Sequence, residues 1–326
     1  MRIAVTGSIA TDHLMAFPGR FVDQLIPDQL DHVSLSFLVD ALEVRRGGVA
    51  ANIAYGLGGL GLDPLLAGAV GPDFGEYEVW LKEHGVDTSA VHVSAERQTA
   101  RFMCMTDQDN NQIASFYAGA MAEAGRIDLR AVHERSPLDL VLVSPNDPGA
   151  MVRHTEQARA LGIPFAADPS QQLARLTGEE VRHLVDGAHW LFTNEYESAL
   201  LCERTGWTRA EVLERVGSWV TTLGAEGVRI DRKDGPTVTV HAVPDVTAAD
   251  PTGVGDAFRS GFLAALSWQL PLENAAQLGC AMSALVLAAV GSQSYEIRPQ
   301  ALLDTLRAVY GDRAAALLGP KLGQLT

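Results

Sequence analysis

Positive charge is what this sequence has least of. It sets 25 basic residues against 40 acidic ones, so 25 − 40 = −15 at pH 7, and only Lys82, Lys233 and Lys321 are lysines. A surface of that sign does not bind nucleic acid or an anionic membrane through charge. None of the three lysines follows a glycine-rich loop, and no G-x-x-x-x-G-K-[ST] run occurs, which excludes a P-loop nucleotide site. Cysteine is nearly as scarce. Cys104, Cys202 and Cys280 are odd in number and far apart, so neither a disulfide framework nor a zinc knuckle is supported. The nine histidines are scattered, without an H-E-x-x-H pair. Long apolar runs are also missing. Only Ala275–Tyr295 is free of charge over a membrane-spanning length, and Gln277, Gly279, Ser283, Gly291, Ser292, Gln293 and Ser294 interrupt it. That stretch reads as a buried core helix. The N-terminal apolar run is broken by Asp12 and His13 and reads as a first strand, not a signal peptide. The expected setting is a reducing cytoplasm.

What remains is an ordinary globular composition, 47% hydrophobic and 20% charged, which excludes disordered and fibrous chains. At 326 residues the chain can bury a large core in one domain or two. Short apolar runs alternate with helical patterns. Val141-Leu142-Val143 precedes a helix over Gly149–Leu161; Phe165-Ala166-Ala167 ends at Asp168, before a helix over Gly178–Val185. Trp190-Leu191-Phe192 runs through Thr193-Asn194 into a helix, and Trp219-Val220-Thr221 ends at Thr222. This order predicts an α/β fold with a mostly parallel sheet covered on both faces. Ligands in such sheets sit beyond the carboxyl ends of the strands, where Ser144, Asp168, Asn194 and Thr222 fall. Each alone is equally suited to a turn or cap.

Two segments leave that pattern. Val33–Val39 alternates, with Val33, Leu35, Phe37 and Val39 on one face. Arg101–Thr106 and Gln112–Tyr117 flank a turn at Asp107–Asn110 and predict a hairpin. Both suit a small antiparallel sheet, which must pack on the body, a ligand or another subunit. A lid is expected, with homodimerisation through the stripe around Phe37 as a second use; Ser36 and Phe37 would then reach the partner's site. Two further helices, Pro299–Tyr310 and Asp312–Leu318, are expected to close the domain.

The strongest chemical signal is Asp250-Pro251-Thr252-Gly253-Val254-Gly255-Asp256-Ala257-Phe258, opening a long helix. Two glycines before a helix let several backbone N–H groups face one point, aided by the helix dipole. A carboxylate in the first turn, Asp256, can take the proton of a hydroxyl lined up against a phosphate there. The alternative is an acidic residue merely favourable at a helix start; the paired glycines favour the chemistry. A second element, Arg46-Gly47-Gly48-Val49-Ala50-Ala51-Asn52, again leads glycines into a helix and offers the Asn52 amide to sugar hydroxyls. Asp12, just after the first strand, can accept two hydroxyl donors.

Together these segments resemble the ribokinase-like (PfkB) carbohydrate and nucleoside kinases. Gly47-Gly48 to Asn52, with Gly68–Gly75, is similar to the family's N-terminal signature, and Asp250–Phe262 to its C-terminal one. Asn194-Glu195-Tyr196-Glu197 resembles its N-x-x-E element, and Thr222–Val228 its T-x-G-x-x-G element. The resemblance implies a three-layer sandwich with a body of residues 1–11, 50–98 and 118–326, and a β lid of 12–49 and 99–117. It implies Asp256 as catalytic base, Gly253, Val254 and Gly255 as anion hole, and Thr222, Gly224 and Gly227 at the ATP site. Asn194 and Glu197 would place Mg²⁺ and the phosphates through water. A K⁺ site would draw on Asp250, Thr252, Val286, Ala289 and Gly291, although Tyr295 stands where a serine often completes it. Pro251 stands where the motif usually has Thr and removes one donor.

The acceptor is narrowed by Phe102 and Phe116, on neighbouring predicted strands, since stacking on a base is worth about 1–3 kcal/mol. Core packing is the commoner use of phenylalanine. Thr6–Leu14, Val33–Asp40 and Ala167–Leu176 resemble the bacterial-type adenosine kinase branch. That resemblance places adenosine against Ser8, Asp12, Ser36, Gly48, Asn52, Phe102, Phe116, Gln171 and Gln172, with Arg175 as a phosphate contact. The implied reaction is phosphorylation of the adenosine 5′-hydroxyl by ATP, a step of purine salvage. The alternatives are a ribokinase or other sugar kinase of the same fold, and a non-catalytic nucleoside-binding regulator.

Overall fold

The computed structural model describes residues 1–25, 32 and 34–325. Its first third runs β1 (Ile3–Thr6), β2 (Ala10–Ala16), β3 (Ala41–Gly47), α1 (Val49–Gly59), β4 (Leu65–Ala67), β5 (Ala69–Val70), α2 (Gly75–Glu83), β6 (His92–Val93), β7 (Ala100–Thr106) and β8 (Gln112–Tyr117). There follow α3 (Leu129–Arg135), β9 (Leu140–Val143), α4 (Pro148–Ala160), β10 (Phe165–Ala167), α5 (Gly178–Val185), β11 (Trp190–Asn194), α6 (Glu195–Thr205) and α7 (Arg209–Leu213). The chain closes with β12 (Ser218–Thr222), β13 (Val228–Asp231), β14 (Val238–Val240), α8 (Val254–Ser267), α9 (Leu272–Leu287) and α10 (Pro299–Leu322).

The main sheet has eight strands in the order β14-β13-β12-β11-β10-β9-β1-β4. From β4 to β12 every pairing is parallel. The strand–helix alternation stops at Thr222, where β12, β13 and β14 pair antiparallel. Alternate residues feed two cores, because strand side chains alternate faces. Val5, Leu142, Phe192 and Val220 pack against Ile53, Leu57, Phe258 and Phe262 of α1 and α8. Ala4, Val141, Leu191 and Trp219 pack against Val132, Met151, Val181 and Leu201 of α3–α6. Fully burying a side chain the size of Phe192 contributes about 1.5–3 kcal/mol. With both faces covered by helices, the strand ends are where a sheet of this kind admits a ligand. The uncharged stretch from Ala275 forms most of α9, a core helix, and no helix among the described residues is long and apolar enough to cross a membrane. The two predicted C-terminal helices form as one helical run broken at Gly311, whose φ of 84° and ψ of 175° are not helical.

A second sheet, ordered β3-β2-β7-β8, stands beside the first. The expected hairpin is there as β7 and β8. Its turn is tied by the Asp107 carboxylate, which accepts from the N–H groups of Asp109 and Asn111, and from Phe21 of a neighbouring loop. The expected strand over Val33–Val39 is not: Val33 lies outside the described residues, and residues 34–39 form no strand. The strand that joins the lid is β3. Phe37 instead packs edge-on against Phe17 and Phe21, with ring centroids 5.0 and 5.3 Å away. Alternation there marks one anchoring aromatic rather than a sheet face.

Candidate active site

The carboxyl ends of β1, β9, β10, β11 and β12 line one edge of the main sheet, and α8 starts above that edge. Its N-terminus is shaped by Gly253, whose φ is +80° and where an added Cβ would lie 2.6 Å from Ser292 Cβ. Only glycine meets both demands cheaply. Among the described residues, the N–H groups of Gly253, Gly255 and Asp256 find no backbone carbonyl, and that of Val254 reaches Pro251 only at 3.4 Å. These donors, with the helix dipole, can hold an anion.

Asp256 lies in this first turn, largely buried. One carboxylate oxygen accepts from Asn52 Nδ2 at 2.9 Å. The amide of Asn52 is fixed in that sense from behind, because its Oδ1 accepts from Ser292 Oγ at 3.0 Å and Gln293 Nε2 at 2.9 Å. Gln293 is held in turn by Trp80 Nε1, which donates to its Oε1 at 3.2 Å. Burial pushes the Asp256 carboxyl up to about 7; the Asn52 hydrogen bond and Arg259 pull it down, and Asp168 and Asp12 push it further up. A group balanced near neutrality can both take and return a proton.

The small sheet carries a row of side chains on one face. Arg45 of β3, Asp12 of β2, Phe102 of β7 and Phe116 of β8 are consecutive register partners, so all four share one face. Phe102 and Phe116 sit directly opposite one another, and Phe116 is exposed. Burial pushes Asp12 up to about 6, against the pull of Arg45. Below the lid, Gly48 caps α1 beside the Ser8 carbonyl, and Ser8 Oγ accepts from Val49 N at 3.0 Å. Gln172 is buried and donates to the Asn146 carbonyl at 2.7 Å. Its Oε1 and the Asn146 Nδ2 are fully buried and make no hydrogen bond to the described residues. Gln171, Arg175 and Ser36 are exposed, and their side chains make no hydrogen bond to the site.

On the other side of the anion site a cavity of about 520 Å³ is lined by Thr222, Gly224, Gly227, Val254, Gly255 and Phe258, among others. Gly227 has φ +98°, and an added Cβ would lie 2.1 Å from the Val240 carbonyl oxygen, so this turn is closed to other residues. Asn194 and Glu197 form a reciprocal capping box on α6: Glu197 N donates to Asn194 Oδ1 at 2.8 Å, and Asn194 N to Glu197 Oε2 at 2.7 Å. Glu197 Oε1 also accepts from Ser170 Oγ at 3.1 Å.

The chain matches the family model for the pfkB family carbohydrate kinases over residues 9–298. It belongs to that family. It is 30% identical to the nucleoside kinase of Methanocaldococcus jannaschii over 250 residues, 76% of this chain and 81% of that one. The structure of Burkholderia thailandensis nucleoside kinase in complex with inosine superposes with a TM-score of 0.82 at 34% identity, covering 95% of this chain and 98% of that one. The ribokinase of Haemophilus influenzae is 23% identical over 304 residues, covering 90% of this chain and 94% of that one. The ribokinase-like α/β fold with a small antiparallel sheet is thus established for this pfkB-family chain.

Sequence reasoning passed over one buried pair in this pfkB site. Arg259, three residues after Asp256, meets Asp168 at the end of β10 with Nε to Oδ2 and Nη2 to Oδ1, both 2.6 Å, and donates through Nη1 to the Gly255 carbonyl at 2.9 Å. Arg259 is 6% exposed and Asp168 1%. Burial lowers the guanidinium's proton affinity, but Asp168 more than restores it; burial likewise pushes Asp168 up and Arg259 opposes it. The pair pins the start of α8 to the end of β10. Its signals in the sequence were a charge inside the otherwise uncharged run Ala257–Leu263 and Asp168 at a strand end.

Proposed function

We propose that this chain is an ATP-dependent nucleoside kinase acting on the 5′-hydroxyl of adenosine, giving AMP and ADP. The observation that carries this is Asp256, a largely buried carboxylate at the unpaired N–H groups of Gly253 and Gly255, between a nucleotide-sized cavity and the Asp12–Phe102–Phe116 row of the lid. In the reaction the acceptor hydroxyl gives its proton to Asp256, its oxygen bonds to the γ-phosphorus, and the bond from that phosphorus to ADP breaks. The first-turn N–H groups stabilise the charge on the transferring group. Asp12 accepts from ribose hydroxyls, Ser8, Gly48, Asn52 and Gln172 border the sugar, and Phe102 and Phe116 offer flat faces to the base. The similarity to kinases whose names specify nucleosides supports the acceptor class.

Magnesium is proposed as an ion held through water. Among the described residues no group of three or more His, Cys, Asp or Glu is placed to hold a metal directly. Glu197 and Asn194 would hold it through water, where it would supply positive charge against the phosphates. A lid-to-lid homodimer is also proposed. Its support is the outer face of the lid sheet, where Leu42, Val44 and Ile113 are exposed on the side opposite Asp12. Light scattering showing a monomer at assay concentration overturns it.

A coupled ADP-release assay with adenosine, inosine, ribose and fructose phosphates tests the function. Adenosine should be the best acceptor. Turnover confined to the free sugars establishes the sugar-kinase alternative, and nucleoside binding without ADP release a regulator.

A further inference from the structure

The corner that would hold a potassium ion, by resemblance, is already built around a different cation. Asp250 Oδ1 accepts from Thr252 N at 2.9 Å, and its Oδ2 accepts from Gly291 N and from Arg45 Nη1, both at 3.1 Å. The Arg45 side chain also lies against Gly291, where an added Cβ would sit 3.3 Å from Arg45 Cδ. Of the other expected ligands, the Val286 carbonyl accepts from Ala289 N at 3.0 Å. Tyr295 turns its ring inward: its hydroxyl faces Gly56, and its carbonyl accepts from Tyr55 at 3.1 Å. The one carboxylate of this corner thus already carries three donors, one of them a fixed positive charge, and a monovalent ion added at Asp250 would face the Arg45 guanidinium.

We propose that Arg45 is a positioning residue that supplies from the lid the fixed positive charge at Asp250, so that this chain works without a monovalent cation. Its geometry is locked from the far side, since Arg45 Nε and Nη2 grip both oxygens of Glu43 at 2.6 and 2.7 Å. The side chains of both Arg45 and Asp250 are less than one-fifth exposed, so solvent screens the pair only in part. Asp250 lies three residues before Gly253, so Arg45 joins β3 of the lid directly to the loop that presents the anion-hole N–H groups. Lid and phosphate site are set together by one ion pair.

The inference rests on the kinase reading. Wild type and Arg45→Ala, Arg45→Lys are assayed with adenosine in tetramethylammonium chloride and in KCl at equal ionic strength, and melted in the same two salts without substrates. Wild-type turnover and Tm should be indifferent to the exchange. Arg45→Ala should lose about 10- to 100-fold in kcat/KM in tetramethylammonium, the worth of a charge-assisted contact, and regain part of it in KCl with a raised Tm. Arg45→Lys should keep most of its activity in either salt. A wild type that needs KCl for turnover, or whose Tm rises specifically in KCl, overturns the proposal, as does an Arg45→Ala variant of unchanged activity in tetramethylammonium. Should Arg45→Ala fail to fold, the wild-type comparison still decides. Absence of any wild-type nucleoside turnover defeats the functional reading, while the melting comparison still judges Arg45.

Discussion

Replacing Asp256 by Asn should disable the enzyme and stabilise the protein, and the second effect has a pH dependence of its own. Asn keeps the shape and the contact with Asn52 but takes no proton, so kcat should fall by about 10²–10⁴. The stabilisation follows from burial, which raises the carboxyl from 3.8 to about 7. The folded state then holds a proton that the unfolded state has already lost, so stability drops as pH rises from about 4 to about 7 and stays low above that. At about 1.4 kcal/mol per pH unit the full penalty is ~4 kcal/mol. Asp256→Asn removes it. Its Tm should match wild type near pH 4, gain steadily up to pH 7, and level off, at roughly 2 °C per kcal/mol for a chain of this size. The companion measurement is wild-type kcat/KM, which should fall as pH drops below about 7, because the base must be unprotonated. Turnover near normal in Asp256→Asn refutes the mechanism. A Tm difference that is constant with pH, or that favours wild type at pH 8, refutes the desolvation argument.

Phe102→Ala should raise the nucleoside KM by roughly 5- to 160-fold, the equivalent of about 1–3 kcal/mol of stacking, with a smaller change in kcat; an unchanged KM removes Phe102 from the base site. Gly227→Ala should abolish nucleotide binding measured by calorimetry, because the new Cβ meets the Val240 carbonyl oxygen; normal ATP affinity would show that this turn does not shape the cavity. Arg259→Met should cost about 3–5 kcal/mol by leaving Asp168 charged and buried without its partner. Adding Asp168→Asn should restore part of that loss in denaturant melts, and strict additivity of the two would mean that the pair is not coupled.

Much of the site was legible in the sequence because it is local. Gly253, Gly255 and Asp256 lie within one helical turn, and helix start chemistry is written in adjacent residues. Alternating short strands and helices pointed to the parallel sheet, and with it to the edge where Ser144, Asp168, Asn194 and Thr222 fall. The hairpin around Asp107 was equally readable, since its turn and both strands are contiguous. The stripe at Val33–Val39 misled because period-two alternation does not say whether a partner strand is within reach; β3, which starts two residues after Val39, took that place. What tertiary structure alone decided are the pairings over long separations. Arg45 meets Asp250 across 205 residues, Arg259 meets Asp168 across 91, and Gln293 sets the Asn52 amide across 241. Each is an electrostatic match between groups that the chain order leaves uncorrelated. Only folding brings them within 3 Å or so, and only burial there makes their charges strong enough to matter.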